Sequence, residues 1–248
     1  MGKRVLVTGA GSGFGKAASI ALAQRGHQVI ATTQTDAQAE RLTYEKPHLQ
    51  VERLDITTND IAKVDHWGID VLINNAGIGR SGPMAEIPLE QARQVLEVNV
   101  LGSLAITQRV LRQMIPRGAG RILIMSSVGG LVTVPTFGAY TMSKHALEAF
   151  GKTLSAELSA TGVDVALIHP GPYATGFNDR MADSMWDWFD GEALQRGDTE
   201  AFKAVGEGIK SNQMDPAEVV QLIVELVAAD DVALQNLVPP DVLAAFGQ

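Results

Sequence analysis

The sequence contains no cysteine, and this absence excludes several kinds of structure and chemistry. Disulfide frameworks, thiolate catalysis and cysteine-based zinc sites all require a residue that the chain lacks. The five histidines offer no replacement, because no two of them stand at metal-ligand spacing on one helix face. We therefore expect no metal site.

Long apolar runs are also missing. No stretch approaches about 18 apolar residues, the length that indicates a membrane-spanning helix. The apolar segment near the N-terminus, Val5-Leu6-Val7, is too short for the core of a signal peptide, and Thr8-Gly9 follows it directly. We expect a cytoplasmic protein without a membrane partner.

Basic residues are too few and too scattered to follow a nucleic-acid backbone. The chain has 20 Lys and Arg against 28 Asp and Glu, a formal net charge of −8, and no basic cluster. We therefore expect no nucleic-acid partner. Aromatic residues make up only 5%, but 46% of the 248 residues are hydrophobic, which is enough for the core of one large domain.

Short β-branched runs alternate with helix-length amphipathic stretches along most of the chain. The runs predict six strands, at residues 5–7, 29–31, 51–54, 71–73, 121–125 and 163–169. The stretches between them predict helices at residues 16–25, 36–42, 89–115 and 139–161. Apolar strands separated by helices indicate a parallel sheet that is buried on both faces. The expected fold is α/β, a doubly wound parallel sheet (Rossmann fold), in a single domain of residues 1–248.

Local signals refine three of these elements. Asp36 is a plausible cap for the second helix, and the helix at 89–115 is predicted to break near Asn99. Asp215-Pro216 opens a further helix, with Asp as the cap and Pro at the first position.

The pattern changes after the sixth strand. Residues from about 172 to 214 are mixed and poorly periodic. A loop of this length in a compact domain is usually functional, so we predict a lid over a substrate site. Among its acidic residues the segment holds several aromatic side chains, namely Phe177, Trp186, Trp188, Phe189 and Phe202.

A glycine-rich turn lies between the first strand and the first helix. Glycine lets a backbone turn tightly and approach a ligand closely. The N–H groups and the dipole of the following helix favour an anion. In this position the turn predicts a dinucleotide pyrophosphate site, and a tight turn without a ligand is the alternative. Its residues are Gly9, Gly11, Ser12, Gly13, Phe14 and Gly15.

Tyr140 and Lys144 stand four residues apart at the start of a predicted helix and so share one face. A phenol titrates at roughly pH 10, and a neighbouring ammonium lowers that pKa toward the range useful for acid/base catalysis. Ser127 ends the fifth strand, at the edge where a doubly wound sheet places its crevice, and its hydroxyl can orient a carbonyl oxygen. The alternative is an ordinary surface pair.

Together these motifs resemble the short-chain dehydrogenase/reductase family over essentially the whole chain. The resemblance implies an oxidoreductase that transfers a hydride between NAD(P)(H) and an alcohol or carbonyl substrate. The motifs occur in the family's order and spacing: Thr8-Gly-Ala-Gly-Ser-Gly-Phe-Gly15, Asn74-Asn75-Ala76-Gly77, Asn99, Ser127, Tyr140-x-x-x-Lys144, and Pro170-Gly171 with Thr175.

The resemblance also implies a role for each matching residue. Tyr140 would exchange the substrate's proton, Lys144 would lower its pKa and bind the nicotinamide ribose, and Ser127 would hold the substrate oxygen. Asn99 would keep a water that links Lys144 to solvent. The other matching positions would bind the dinucleotide: Gly9, Gly11, Ser12, Gly13, Phe14, Gly15, Asp55, Ile56, Asn75, Ala76, Gly77, Pro170, Gly171 and Thr175.

Three further residues of the expected dinucleotide site depart from the family pattern. Tyr173 stands where the family often has Val, and it would face the nicotinamide or the substrate. Thr33 stands where NAD-preferring relatives carry an acid, and Gln34 where NADP-preferring relatives carry Arg. Because the repulsive acid is missing, we expect weak discrimination between NADP(H) and NAD(H), with a slight preference for NADP(H).

The expected substrate is a small, neutral, moderately apolar alcohol or ketone. A dinucleotide-sensing regulatory protein without turnover is one alternative, which the intact Ser127, Tyr140 and Lys144 disfavour. An acyl-carrier-protein-linked 3-oxoacyl reductase is another, but an acidic carrier would be repelled by the lid's acids, which include Asp179, Asp183, Asp187, Asp190 and Glu192. In similar proteins the helices at 89–115 and 139–161 pair between subunits, so we expect a homodimer or homotetramer.

Overall fold

A single parallel sheet organises the part of the chain that the computed structural model describes, residues 2–189 and 199–246. Within these ranges the strand order is β3-β2-β1-β4-β5-β6-β7, and every neighbouring pair is parallel. The strands are β1 Arg4–Val7, β2 Gln28–Thr33, β3 Gln50–Arg53, β4 Val71–Asn74, β5 Gly120–Met125, β6 Val163–Pro170 and β7 Gln235–Val238. The predicted doubly wound α/β fold is confirmed.

Helices cover both faces of the sheet. They are α1 Gly13–Gln24, α2 Asp36–Glu45, α3 Leu89–Leu96, α4 Ser103–Arg117, α5 Gly138–Leu158, α6 Phe177–Asp183, α7 Thr199–Ser211 and α8 Ala217–Ala228. A π-helical segment, Glu97–Gly102, separates α3 from α4, so the predicted break near Asn99 is confirmed. Short 3-10 helices occupy Asn59–His66, Val128–Gly130, Ser184–Asp187 and Val242–Phe246.

The core lies in two layers, one on each side of the sheet. In β1, Val5 and Val7 belong to the layer under α1 and α8, whereas Leu6 belongs to the layer under α4 and α5. Successive side chains of a strand point to opposite faces, so both faces bury aliphatic residues. This double burial explains why the strands appear in the sequence as continuous apolar runs.

The direction of the strands positions the site. The chain runs outward from β1 to β3 and then crosses to β4 on the other side of β1. Parallel strands end at one edge, so the loops after β1, β4, β5 and β6 meet there. In open α/β sheets this edge, at the point where strand order reverses, holds the ligand.

Three details differ from the sequence predictions. Strand β7 was not among the six predicted strands, because it is a four-residue edge strand that begins with the polar pair Gln235-Asn236. Thr35, rather than Asp36, caps α2: its hydroxyl accepts a hydrogen bond from the backbone of Gln38, whose side chain bonds back to Thr35. This reciprocal pair is a capping box. At the start of α8, Pro216 rather than Asp215 takes the cap position, and Asp215, one residue earlier, accepts a hydrogen bond from Ala217 N at 2.9 Å.

The predicted lid contains more structure than its sequence indicates, since α6 and α7 fall within it. Residues 190–198 of this segment, including Asp190 and Glu192, lie outside the described residues. In the described part of the chain, no helix combines the length and hydropathy of a membrane span, and no group of three or more His, Asp or Glu forms a metal-binding cluster. Leu101 and Met142 are exposed on the two helical regions expected to pair between subunits, and the homodimer or homotetramer stays a prediction.

Candidate active site

A cleft of about 410 Å³ opens at the carboxyl edge of the sheet. This volume lies in the range of pockets for small molecules and cofactors. Of the residues that the sequence assigns to a site, all line the cleft except Gly15 and Asn99. The structure thus brings together residues from seven separate segments, between Gly9 in the first loop and Thr175 after β6.

The glycine-rich turn is shaped by its close approach to the loop after β4. Gly9 has a positive φ of 67°, and a Cβ there would lie 2.7 Å from the Cα of Ala76. A Cβ on Gly15 would overlap the amide of Asn75 and lie 2.6 Å from the carbonyl oxygen of Gly9. Gly15 therefore serves the packing of the turn, which explains why it does not line the cleft.

Thr8 and Asn75 tie the two loops together. The Thr8 hydroxyl accepts hydrogen bonds from the backbone N–H groups of Asn75 and Ala76, each at 3.0 Å. The Asn75 side-chain amide donates to the carbonyl oxygens of Thr8 at 2.9 Å and Gly9 at 3.1 Å. These bonds hold the glycine-rich turn rigidly against the centre of the sheet, as a phosphate-binding turn requires.

The start of α1 has the properties of an anion site. The helix begins at Gly13, the Ser12 side chain makes no capping bond, and the first turn carries no acidic residue. Its N–H groups and dipole face the cleft with no carboxylate to compete. A Cβ on Gly13 would lie 3.3 Å from Thr175, so a side chain there would narrow the passage between the turn and the loop after β6. The cradle fits a dinucleotide phosphate.

Two hydroxyls and one ammonium meet where β5 ends and α5 begins. Ser127 follows β5, and its hydroxyl accepts a hydrogen bond from Gly129 N at 3.0 Å and lies within hydrogen-bonding reach of the Tyr140 phenol. The Lys144 ammonium donates to the carbonyl oxygen of Met125 at 2.7 Å and lies 5.5 Å from the centroid of the Tyr140 ring. A substrate oxygen placed here can accept hydrogen bonds from the hydroxyls of Ser127 and Tyr140. The buried Lys144 ammonium lies next to the Tyr140 ring.

The acidity of Tyr140 differs from the sequence prediction. We expected the ammonium to lower the phenol's pKa, but burial raises the pKa of Tyr140 to about 12, against a smaller lowering by its hydrogen bond with Ser127. Burial also lowers the pKa of Lys144 to about 8, opposed by the attraction of Glu148. The prediction was wrong because it considered only the neighbouring ammonium and left out the desolvation of the buried phenol, which outweighs the hydrogen bond with Ser127. At neutral pH the phenol carries its proton and suits the role of an acid.

Asn99 lies behind this group and not in the cleft. Its side chain is fully buried in the π-helical segment. The amide donates to Ile78 O and to the Ser143 hydroxyl, both at 2.9 Å, and its oxygen accepts from Ile78 N at 2.8 Å. These bonds join the loop after β4 to α5. The water-holding role implied by the family stays a prediction.

The far end of the cleft is bounded by β2, α2 and the loop after β3. The Gln34 amide donates to the Asp55 carboxylate at 3.3 Å, and the Thr33 hydroxyl donates to a backbone oxygen at 3.2 Å. Gln38 lines the same wall, and Arg41 donates to the Gly11 carbonyl oxygen at 3.1 Å. The sequence analysis missed both Gln38 and Arg41. The Thr35-x-x-Gln38 capping box is the signal that locates the start of α2, and Arg41 follows one turn later.

Tyr173 joins the floor of the cleft to the core. Its ring is buried, packs edge-on against Phe14 with centroids 5.7 Å apart, and belongs to the core layer beneath α1 and α8. Its hydroxyl donates to the Glu218 carboxylate at 3.1 Å. Tyr173 also lines the cleft, beside Pro170 and Gly171. The expectation that it faces the nicotinamide or the substrate stays a prediction.

The lid supplies an apolar wall beside Tyr140. The Phe177 ring lies 5.7 Å from the Tyr140 ring, and further apolar side chains complete the wall, namely Val134, Phe137, Met181 and Ile209. Trp186 and Trp188 instead pack around Phe189. Arg80 and Arg180 line the cleft as well.

Two hydrogen bonds anchor the lid to the loop after β4. Ser81 N donates to the Ser184 hydroxyl at 3.0 Å, and the Ser81 hydroxyl donates to Ala182 O at 3.1 Å. All of these groups are buried. These bonds hold α6 and the turn after it against the loop after β4, which keeps Phe177 and Met181 beside Tyr140.

Known proteins resemble this chain in sequence. The family model for short chain dehydrogenases matches residues 3–186. The uncharacterized oxidoreductase YbbO of Escherichia coli strain K12 is 34% identical over 197 residues, 75% of this chain and 72% of that protein. The uncharacterized oxidoreductase YusZ of Bacillus subtilis strain 168 is 34% identical over 242 residues, 91% of this chain and 85% of that protein. The NADPH-dependent 3-dehydrocapnine reductase of Ornithobacterium rhinotracheale is 35% identical over 185 residues, 68% of this chain and 65% of that protein.

Solved structures resemble it over nearly the whole chain. A short-chain dehydrogenase from Streptomyces avermitilis superposes with a TM-score of 0.83 and 27% identity, covering 99% of this chain and 92% of that one. A short chain dehydrogenase/reductase from Burkholderia phymatum in complex with NAD gives 0.82 and 26%, covering 98% and 91%. The closed form of a serine dehydrogenase complexed with NADP+ gives 0.79 and 25%, covering 94% and 93%. The family model, these relatives and the shared fold show that the chain belongs to the short-chain dehydrogenase family.

Proposed function

We propose that this protein is an NAD(P)(H)-dependent oxidoreductase that interconverts a carbonyl compound and the corresponding alcohol. The observation that carries the proposal is the grouping of Ser127, Tyr140 and Lys144 at one end of a cleft whose other end fits a dinucleotide. Relatives named as oxidoreductases, and similar structures with bound NAD or NADP+, support it. Ser127, Tyr140 and Lys144 are all present, which favours a catalytic protein over one that only senses the cofactor.

The residues of the cleft divide into a dinucleotide part and a reaction part. The turn from Gly9 to Gly13 and the start of α1 would hold the pyrophosphate, and Asp55 would meet the adenosine. Pro170, Gly171 and Thr175 would border the nicotinamide, next to Ser127. The bound dinucleotide supplies or accepts the hydride.

The protein's own groups handle the substrate oxygen and its proton. In the reductive direction, the hydroxyls of Ser127 and Tyr140 bind the carbonyl oxygen and polarise it. Tyr140 then donates its phenolic proton to that oxygen as negative charge develops there. Lys144, which is buried and charged below a pKa of about 8, stabilises the resulting phenolate. Because Tyr140 is protonated at neutral pH, we propose that the free protein is ready there to act as the acid of the reductive direction.

The wall of the substrate part favours apolar groups next to the reacting carbon. Phe137, Phe177 and Met181 surround Tyr140 there, and they offer no hydrogen bond to a charged substituent. Burying an unpaired carboxylate against such a wall is costly. We therefore propose a small, neutral, moderately apolar ketone or alcohol as the substrate class.

A panel of matched ketones tests this substrate class. For a keto acid and its methyl ester, we expect kcat/KM with NADPH to be at least about tenfold higher for the ester, since the acid must desolvate its charge. The measurement is cofactor oxidation at equal substrate concentrations. A keto acid that outperforms its ester would contradict the proposal and indicate Arg180, at the cleft, as an anchoring cation.

Arg41 bears on the choice between the two dinucleotides. It does not line the cleft itself, but its guanidinium bonds the carbonyl oxygen of Gly11, a lining residue, and lies 3.9 Å from the Glu45 carboxylate. We propose that it can reach a 2′-phosphate held near Thr33 and Gln34. A guanidinium binds phosphate oxygens more strongly than a neutral hydroxyl or amide does. Among the described residues that line the cleft, Asp55 is the only acid, and we propose a preference for NADP(H) over NAD(H).

Replacing Arg41 by Ala tests this preference. We expect the Kd for NADPH to rise about tenfold, because a hydrogen bond to a charged group contributes about 1.5–3 kcal/mol and Arg41 is partly screened by solvent. The Kd for NADH should change much less. Arg93→Ala is a matched control, because that side chain is 66% exposed on α3 against 60% for Arg41. Equal losses of NADPH and NADH affinity would contradict the assignment.

A further inference from the structure

A buried carboxylate lies directly behind the reaction part of the cleft. Glu148 stands one helical turn after Lys144 on α5, and it is only 5% exposed. Its Oε1 accepts a hydrogen bond from the Ser126 hydroxyl at 2.6 Å and lies 2.8 Å from His169 Nε2. Its Oε2 lies 3.3 Å from the Lys152 ammonium and accepts from the Gln235 amide at 3.4 Å.

These contacts join the three segments that carry the reaction groups. Ser126 immediately precedes Ser127 at the end of β5. His169 immediately precedes Pro170 at the end of β6, where the nicotinamide would lie. Glu148 itself belongs to the helix of Tyr140 and Lys144. The Glu148 carboxylate therefore connects the segment of Ser127 to the turn after β6. Because it belongs to α5, it also fixes both of them relative to Tyr140 and Lys144.

The loop after Ser127 packs closely against the Ser126 side chain and helix α5. A Cβ on Gly130 would lie 2.9 Å from the Ser126 hydroxyl, 3.0 Å from Lys144 O and 3.2 Å from Glu148 Cγ. Such spacing leaves no room for a side chain, so this loop, α5 and the end of β5 are in close contact. A shift of Glu148 would move all three.

The charge on Glu148 has a consequence for Lys144 beyond packing. Hydrogen bonds from His169 and Ser126 outweigh burial and lower the pKa of Glu148 to about 2, so it is ionised at any working pH. Burying a carboxylate is costly, and an uncharged residue of similar volume often serves packing equally well. The negative charge, however, attracts the buried ammonium of Lys144 and opposes its loss of a proton.

We infer that Glu148 is a positioning residue for the proposed reaction, which holds the end of β5, helix α5 and the end of β6 in their relative positions. The inference rests on the proposed function. The groups that face Lys144 are Tyr140 and Glu148 on its own helix and the Met125 carbonyl of β5. The groups that face Glu148 are Ser126 from β5, His169 from β6, Gln235 from β7 and Lys152 from α5.

The substitution Glu148→Gln tests the role of the charge. It keeps the volume and one acceptor oxygen but removes the negative charge, so Lys144 should lose its proton at lower pH. We expect the alkaline limb of the pH profile of kcat/KM to move down by at least about 0.5 unit. In Glu148→Asp, which keeps the negative charge, the alkaline limb should lie closer to its wild-type position than it does in Glu148→Gln. Lys152→Met, which removes the solvent-facing cation on the same carboxylate, should not lower it.

A second readout works without turnover. The 13Cε resonance of Lys144, assigned by its loss in Lys144→Met, reports the titration of the ammonium directly. Its midpoint should be lower in Glu148→Gln than in the wild type, and equal midpoints would overturn the inference. If the wild type consumes no cofactor with any ketone, the proposed function fails, and this titration still decides the role of Glu148.

Ser126→Ala provides a test that does not depend on Glu148→Gln folding. It removes one hydrogen bond to the carboxylate and leaves every charge in place. We expect kcat to fall about three- to tenfold while the Kd for the dinucleotide is unchanged, because misplacing a reacting group costs rate rather than binding. An unchanged kcat would overturn the positioning role.

Discussion

Replacement of Tyr140 by Phe should lower kcat about 10²–10⁴-fold, the usual contribution of a positioned proton donor. The substitution removes the hydroxyl beside Ser127 but keeps the ring that packs against Phe177. The folded state and the dinucleotide part of the cleft should therefore be unaffected. We expect the Kd for NADPH to stay within about twofold of the wild type.

The measurement is turnover under conditions in which chemistry limits the rate, with cofactor binding followed separately. Tyr44→Phe is the matched control, since Tyr44 lies on α2 and is 89% exposed. It should retain full activity. If Tyr140→Phe keeps more than about a tenth of the wild-type kcat, Tyr140 is not the acid and the proposed mechanism is wrong.

Thr33→Asp should reverse the preference between dinucleotides. Thr33 ends β2 in the wall of the cleft, and its methyl group lies 3.7 Å from the position that a Cβ on Gly11 would occupy. A carboxylate there would repel a 2′-phosphate and accept hydrogen bonds from an unmodified ribose. Placing like charges together costs several kcal/mol, so the ratio of kcat/KM for NADPH to that for NADH should fall about 100-fold.

The ratio is measured for the wild type, Thr33→Asp and Gln34→Arg in the same buffer. Gln34→Arg should move the ratio toward NADPH, because it adds a cation to the same wall. Thr153→Asp, on the exposed surface of α5, controls for the added negative charge. A ratio that Thr33→Asp leaves unchanged would mean that Thr33 does not face the ribose.

The sequence predicts the fold well because most of the sheet is buried on both sides. Strands such as β1 and β4 appear as continuous apolar runs, and the glycine turn and helix caps mark where they end. Strand β7 lacks this signature. It forms by pairing with β6, from Leu167 opposite Gln235 to Pro170 opposite Val238, and this long-range contact is not encoded locally.

The site residues that the sequence identifies are those with short-range spacing. Tyr140 and Lys144 are found because they stand four positions apart on a helix and so share one face. Glu148 and Arg41 are missed because their importance comes from tertiary neighbours, the Ser126 and His169 side chains in one case and the Gly11 carbonyl in the other. No local pattern reports such contacts.

One prediction failed because it depended on burial. The pKa of Tyr140 was expected to fall on the basis of helix spacing alone. That spacing reveals neither the desolvation of the phenol nor the bond from Lys144 to Met125 O. Likewise, the position of Tyr173 along the chain does not show that α8 accepts its ring and its hydroxyl.

Hydride transfer itself is the central claim, and isotope labelling measures it most directly. The wild-type protein is incubated with NADPH that carries deuterium at both hydrogen positions of the reactive carbon of the nicotinamide, together with an apolar methyl ketone. We predict that mass spectrometry detects one deuterium on the carbinol carbon of the alcohol product, and that Tyr140→Phe forms this product about 10²–10⁴-fold more slowly. Binding of NADPH without any deuterated alcohol, across a panel of ketones, would contradict the account and favour a protein that binds the dinucleotide without turnover.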